Sequence, residues 1–475
     1  MHLIRGKLEQ HELVNRSLRI HYPLFILQAG GVLSTIVHPL APFIISGLGL
    51  TIAALFYYNH LILIIFISIG LIKGWIIDAI PLFQTVDLTL LISVLVLIVI
   101  LWELSNPEVR ARFLVHQYYF TAFCLWVLWL LCTSLYAPRV DWALEKGLRF
   151  ALFGFTLFMA PLVMFKSKKE GMNFLKILIA IGFIGALVLV TKMLYLAATG
   201  SFVELTTRLV LFSSNPIQTA RFMSVCAVLT GIMMTFSEKR KFLFGFSMLV
   251  FVIAALSTGS RGPVLSLFVS LIALGIIVGG NLRKQVGILF LVGTLVVVTA
   301  LFTMPENLTA RYNVFASSEL VVTRKGLVVF STISSRWILW SNALELWLRD
   351  IPHFLFGSGA GGYAALFPWR DFRYPHNLFL EILAEFGIIG LVFFLSHAVL
   401  AVIDVVRHFR KRYSQPEVLW LGATLTVFFS AMFSGDINDN RLIWFFLSGL
   451  LAAVHSGNSE RRLSKIELDS PAVLT

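Results

Sequence analysis

The sequence predicts an all-α polytopic membrane protein of about fourteen (twelve to fourteen) transmembrane helices, with one large outward loop that carries an interfacial helix. Three observations predict it. Of 475 residues, 58% are hydrophobic and 13% charged, with a mean hydropathy of +0.86, well outside the usage of soluble globular domains. Apolar runs long enough to cross a hydrocarbon core of about 30 Å recur from residue 24 to residue 455. Most basic residues fall in short loops between those runs, so the net charge of +13 records membrane orientation and implies no nucleic-acid partner.

The N-terminal segment 1–23 is charged, and the first apolar run after it lacks a small-residue cleavage site, so no removable signal peptide is expected. Helices 1–11 are predicted within 24–303, at 24–39, 40–57, 61–79, 88–103, 119–136, 148–165, 174–196, 219–236, 241–257, 262–280 and 286–303. Pro39 and Pro42 interrupt the first pair, which a re-entrant hairpin also fits. Helices 12–14 are predicted within 377–455, at 377–403, 417–433 and 440–455, followed by a tail at 456–475. Basic clusters such as Arg110/Arg112, Lys166/Lys168/Lys169, Lys239/Arg240/Lys241 and Arg407/Arg410/Lys411/Arg412 place their loops and both termini in the cytoplasm. The block 304–376 then faces the opposite side, which in a bacterium is the periplasm.

A loop of that length without an apolar span usually carries function. Within it, SSRWILWSNALELWLRD (334–350) spaces Trp337, Trp340, Leu344, Trp347 and Leu348 along one helical face. Such a helix either lies among lipid headgroups as a lid or packs on the other spans. GSGAGGY (357–363) follows no strand, so it matches no phosphate-binding fingerprint and reads as a flexible loop. Cys124, Cys132 and Cys226 lie in predicted spans and suggest neither disulfides nor zinc.

Three outward arginines stand against the positive-inside bias: Arg221 in NPIQTARF, Arg261 in STGSRGP and Arg336 in SSRWILW. A guanidinium is a planar fork of donors that stays charged and suits a diphosphate. Snorkelling to headgroups, or pairing with Asp436 and Asp439, is the alternative for each. His376 follows Pro375, which keeps the chain extended and starts the next helix just beyond. Gly387 lies eleven residues on, close to three helical turns of about 10.8 residues, so the two are expected on one face, the glycine where another helix approaches. Glu381 and Glu385 share a helix face and are expected to line a polar groove or pair with an arginine. DIND (436–439) spaces its acids too far apart for Asp-x-Asp metal binding and reads as a cap or ion-pair cluster.

Arg261 with Leu265 four residues on, a second arginine about 75 residues later in a long outer loop (Arg336, followed by Trp340), then PHN with glycine eleven positions after the histidine, resembles the bacterial O-antigen ligase and O-antigen polymerase family over roughly residues 200–455. The resemblance implies a glycosyltransferase of the bacterial inner membrane with its active site facing the periplasm. Its donor would be a glycan on undecaprenyl diphosphate, and its acceptor lipid A-core for a ligase or another lipid-linked glycan for a polymerase. It further implies His376 as general base, Arg261 and Arg336 as catalytic cations at the diphosphate, Arg221, Glu381 and Gly387 in the substrate site, an inverting transfer, and neither metal nor cofactor. The ligase is the reading adopted. The competing class is a glycolipid flippase or transporter, suggested by the span count and by Lys73, Asp78 and Lys192, expected to be buried but near the outer ends of their spans, where they could snorkel or line a lipid groove. The chain shows no internal repeat at a fixed period, and many transporters are built from repeats.

Overall fold

The computed structural model describes residues 59–79, 82–85, 87–199, 208–211, 214–303, 312, 318–323, 326–367, 374–411 and 413–469. The chain divides into two compact units, Met1–Phe66 and Ile67–Thr475. Of the first, the described part is residues 59–66, which open helix α1 (Asn59–Ala79). The predicted spans 24–39 and 40–57 lie outside the described residues.

The second unit continues through α2 (Leu82–Thr85), α3 (Leu88–Leu104), α4 (Pro107–Phe113), α5 (Gln117–Thr133), α6 (Val140–Met164), α7 (Lys168–Thr199) and α8 (Pro216–Phe236). It then runs through α9 (Lys241–Ser257), α10 (Arg261–Ile277) and α11 (Gly280–Thr303). After the outer loop come α15 (Leu378–Lys411), α16 (Gln415–Ala431) and α17 (Leu442–Asp469). Capping chemistry fixes several starts. Asp87 accepts from Thr89 N at α3, Asn106 and Asn215 cap α4 and α8 ahead of proline, and Ser414 with Glu417 closes a capping box on α16.

The protein is thus an all-α polytopic membrane protein. Among the described residues, seven helices are long and apolar enough to cross a membrane: His60–Ala79, Pro107–Thr133, Val140–Met164, Lys168–Thr199, Pro216–Phe236, Gly280–Ala300 and Leu378–Arg410. Leu88–Leu104, Lys241–Ser257, Arg261–Ile277 and Leu442–Ser456 are shorter apolar helices. α8 is the central strut, buried over almost its whole length against α9, α10 and α16. A second nucleus is aromatic. Phe123 stacks on Phe158 at 4.5 Å, Trp126 meets Phe386 edge-on at 5.3 Å, and Trp444 meets Phe123 at 5.1 Å, joining α5, α6, α15 and α17.

The outer loop departs from expectation in one respect. Ser318–Thr323 (β1) and Gly326–Ser331 (β2) pair antiparallel, with Ser318 opposite Ser331 and Thr323 opposite Gly326. SELVVT and GLVVFS are β-branched runs separated by two residues, the local pattern of a hairpin, which the helix-dominated composition obscures. α12 (Thr332–Trp347) follows, then α13 (Ile351–Phe356) and α14 (Gly362–Leu366). α12 buries Leu339, Ala343 and Leu346 against Tyr363 and Ala384. Of the face singled out from the sequence, Trp337 and Leu348 are 69% and 60% exposed while Trp340 and Trp347 are half-buried, so the helix packs on the bundle by one side and leaves part of the other open.

Candidate active site

α15 is broken. Gly387 adopts φ 66°, ψ −171° inside it, so residues 378–386 and 388–411 are two helices meeting at a kink. The carbonyls freed by the break are taken up by other segments. Ser358 N and Oγ both donate to Ala384 O at 2.9 Å, Gly359 N donates to Glu385 O at 2.9 Å, and Trp129 Nε1 donates to Phe386 O at 3.1 Å. This is how irregular backbone is tolerated at membrane depth. A Cβ on Gly387 would lie 2.3 Å from Leu355 O, and one on Gly357 (φ 74°) 2.3 Å from the Glu385 carbonyl carbon. Two expectations are corrected here. The close neighbour of Gly387 is Leu355 near the end of α13, so a helix does approach it, but the break ends the helical period that was to align it with His376. GSGAGGY, read as flexible, is buried and locked into the break.

The first half of α15 carries the acids. Lys146 of α6 places its ammonium 2.6 Å from Glu381 Oε1 and 2.6 Å from Glu385 Oε2, with both carboxylates buried. Glu385 Oε2 also accepts from Gly361 N at 2.9 Å, Glu381 Oε1 from Ile437 N at 3.3 Å, and Lys146 O from Asn438 Nδ2 at 3.2 Å. The pair expected to line a groove or meet an arginine is thus clamped by a lysine, which ties α6, α15, the 357–361 turn and the 434–441 loop together. Lys146 was not singled out in the sequence. Its signal was the same as that of the outward arginines, a cation in a predicted outer loop where the positive-inside bias disfavours one.

His376 sits at the mouth of this assembly, 5% exposed. Its φ of 57° makes it the one non-glycine residue with positive φ among the described residues. Such a conformation costs roughly 1–2 kcal/mol in a side-chain-bearing residue, and strain of this kind collects at functional sites. Its neighbours hold it there. Asn377 caps α15 by accepting from Leu380 N at 3.1 Å and donates to Met432 O at 3.2 Å. The Tyr374 ring stands edge-on to the imidazole at 4.5 Å. Burial and the Arg336 charge push the His376 pKa down to about 3. Burial, reinforced by Asp439, Asp436 and Glu381, pushes the Tyr374 phenol up.

Arg336 Nη1 donates to Phe433 O at 2.5 Å and to His376 O at 3.4 Å, so its guanidinium lies against the histidine backbone. Arg261 opens α10, and its neighbour Gly262 packs on Phe433, where a Cβ would come within 2.7 Å of the Phe433 Cβ. The residue after Arg261 and the Arg336 guanidinium thus meet Phe433 from different helices. Arg261 also lies near Tyr312, as does Arg208, a further arginine not picked out in the sequence. Arg221 is committed elsewhere. Fully buried, it donates from Nε to Ser430 Oγ at 2.9 Å, from Nη1 to Asp439 O at 2.9 Å and from Nη2 to Ser434 O at 3.2 Å, and so fastens α8 to the 434–441 loop. Asp436 Oδ1 accepts from Asp439 N at 2.8 Å and caps its own loop.

None of the charges that suggested a transporter is fully buried, in keeping with their predicted places near span ends, where they could snorkel or line a lipid groove. Lys73 pairs with Asp87 at 2.8 Å and is half-buried, while Asp78 and Lys192 are exposed. Glu381, Glu385 and Arg221, all buried, gather at the His376 end. A family model described as O-antigen ligase matches residues 246–395, from α9 into the second half of α15. That range includes Arg261, Arg336, His376, Glu381, Glu385 and Gly387, and leaves Lys146 and Arg221 outside. No curated protein matches the chain.

Proposed function

With residues 246–395 matching the O-antigen ligase family, we propose that this chain is a membrane glycosyltransferase that moves a glycan from undecaprenyl diphosphate to an acceptor hydroxyl, that of lipid A-core, at the periplasmic face of the inner membrane. The observation that carries the reading is His376, a buried histidine on strained backbone whose carbonyl accepts from the Arg336 guanidinium. The acceptor oxygen attacks the anomeric carbon as the bond from that carbon to the diphosphate oxygen breaks, inverting the centre. The hydroxyl proton passes to the imidazole, and the departing electron pair stays on the diphosphate. Arg261 and Arg336 stabilise the charge that develops there, the role donors play when already aimed at a leaving group.

The depressed basicity of His376 fits this sequence of events. In the free protein burial, helped by the Arg336 charge, keeps the ring neutral and able to accept a proton. A diphosphate settling on Arg336 and Arg261 offsets that charge and raises the basicity of the ring when the acceptor needs it. Glu381, Glu385 and Lys146 shape the platform beneath. Arg221 and Gly387 act by holding loop and helix geometry.

The test gives purified protein a radiolabelled undecaprenyl-diphosphate glycan in proteoliposomes, with and without lipid A-core and in the presence of EDTA. Acceptor-dependent label on lipid A-core is the expected result. A ladder of longer lipid-linked glycans without lipid A-core would mark a polymerase. Label moved across the bilayer unchanged would mark a flippase, and loss of activity in EDTA would refute the cation assignment.

A further inference from the structure

The far end of the same bundle holds a second polar feature, independent of glycan transfer. Lys146 and Met164 lie on α6 eighteen residues apart, so at 1.5 Å per residue they are separated by about 27 Å. Just past Met164 a pocket opens, with about 440 Å³ of empty volume including its mouth. One wall is cationic, formed by Arg112 of α4, Lys166 in the α6–α7 link and Lys168 in the first turn of α7, and among the described residues no carboxylate lines the pocket. The other wall is apolar and built on Trp420. Gly449 makes room for that indole, since a Cβ there would lie 2.3 Å from its ring.

The nearby acids frame the pocket from outside. Glu417 Oε1 holds Lys168 at 2.5 Å, and Glu170 Oε2 accepts from Lys166 N at 2.7 Å while Ser167 Oγ accepts from Glu170 N. His116 lines the pocket too. It is 4% exposed, its ring meets His455 at 5.3 Å, and its Nδ1 has no hydrogen-bond partner. A buried imidazole nitrogen with spare capacity is costly unless something uses it. Three cations, that nitrogen and the first turn of a 32-residue helix converge on one opening.

We propose that this pocket binds a phosphate group, with Arg112 and Lys166 as its principal ligands and His116 as a further donor. Basic pockets between membrane helices recognise anionic lipid headgroups in this way, and a free phosphate offers the same chemistry. Thermal unfolding of the full-length protein in detergent, with added phosphatidylglycerol, phosphatidylcholine or inorganic phosphate, tests it. Phosphatidylglycerol should raise the unfolding midpoint and phosphatidylcholine should not. The rise should vanish in Arg112→Gln/Lys166→Gln and persist in Lys169→Gln, which changes an exposed neighbour outside the lining. A variant-sensitive rise with inorganic phosphate would identify free phosphate as the source. If the double variant does not fold, His116→Phe reads the same site, and its phosphatidylglycerol affinity should fall about tenfold on loss of one hydrogen bond to a charged group. No rise with either anion, or equal binding in wild type and variants, overturns the proposal.

Discussion

At the scale of single residues, the site rests on groups whose chemistry substitution cannot imitate. His376→Ala should abolish glycan transfer while leaving protein abundance unchanged. Arg261→Lys and Arg336→Lys should each lower the rate by about 10²–10³-fold, the cost of losing one preorganised donor at a developing anion, because an ammonium cannot replace a planar fork. Normal turnover in His376→Ala would remove the base assignment. The pH dependence has a definite sign. With a folded-state pKa of about 3 against 6.5 unfolded, His376 binds fewer protons folded than unfolded between those values. Its contribution to stability is therefore complete above pH 6.5 and declines as pH falls towards 3. The pH profile of kcat/KM, which reports the free protein, should show no acidic limb near 6.5 from this histidine, and a limb there that His376→Ala removes would contradict the burial of the ring. His376 was legible because proline, histidine and asparagine act locally. The Lys146 contacts were not, since its carboxylate partners lie 235 and 239 positions away.

At the scale of elements, two devices hold α15. Gly387→Ala places a side chain in left-handed backbone and against Leu355 O, so it should cost roughly 1–2 kcal/mol for the conformation alone, more with the collision, and read as a lower unfolding midpoint together with reduced transfer. Lys146→Met leaves two buried carboxylates facing each other and should cost about 3–5 kcal/mol. Adding Glu381→Gln and Glu385→Gln should recover part of that loss, and a triple variant no more stable than the single one would deny the clamp. The helices themselves were legible, since long apolar runs leave little choice in lipid. The break in α15 was not, because Gly387 resembles any small residue at a helix contact until the loop that displaces the helix is known. The hairpin β1–β2 was hidden for the converse reason: its local pattern was clear, but the surrounding composition argued for helices alone.

At the scale of the whole molecule, sidedness is the testable property. In a cysteine-free background, Ser341→Cys on the exposed side of α12 should react with a membrane-impermeant maleimide from the periplasm, and Glu238→Cys between α8 and α9 should not. The reverse labelling would place the His376 end in the cytoplasm, away from any lipid-linked donor on the outer leaflet. Hydropathy and basic loops carry this expectation because they act through the membrane and need no tertiary contacts. The order of the seam at Gly387 along the chain bears on biosynthesis. Ser358 and Gly359 leave the ribosome before Ala384 and Glu385, so their amides wait for acceptors not yet made. A nascent chain that ends between residues 360 and 380 therefore lacks the partners of this seam, and the arrival of residues 384–386 completes it.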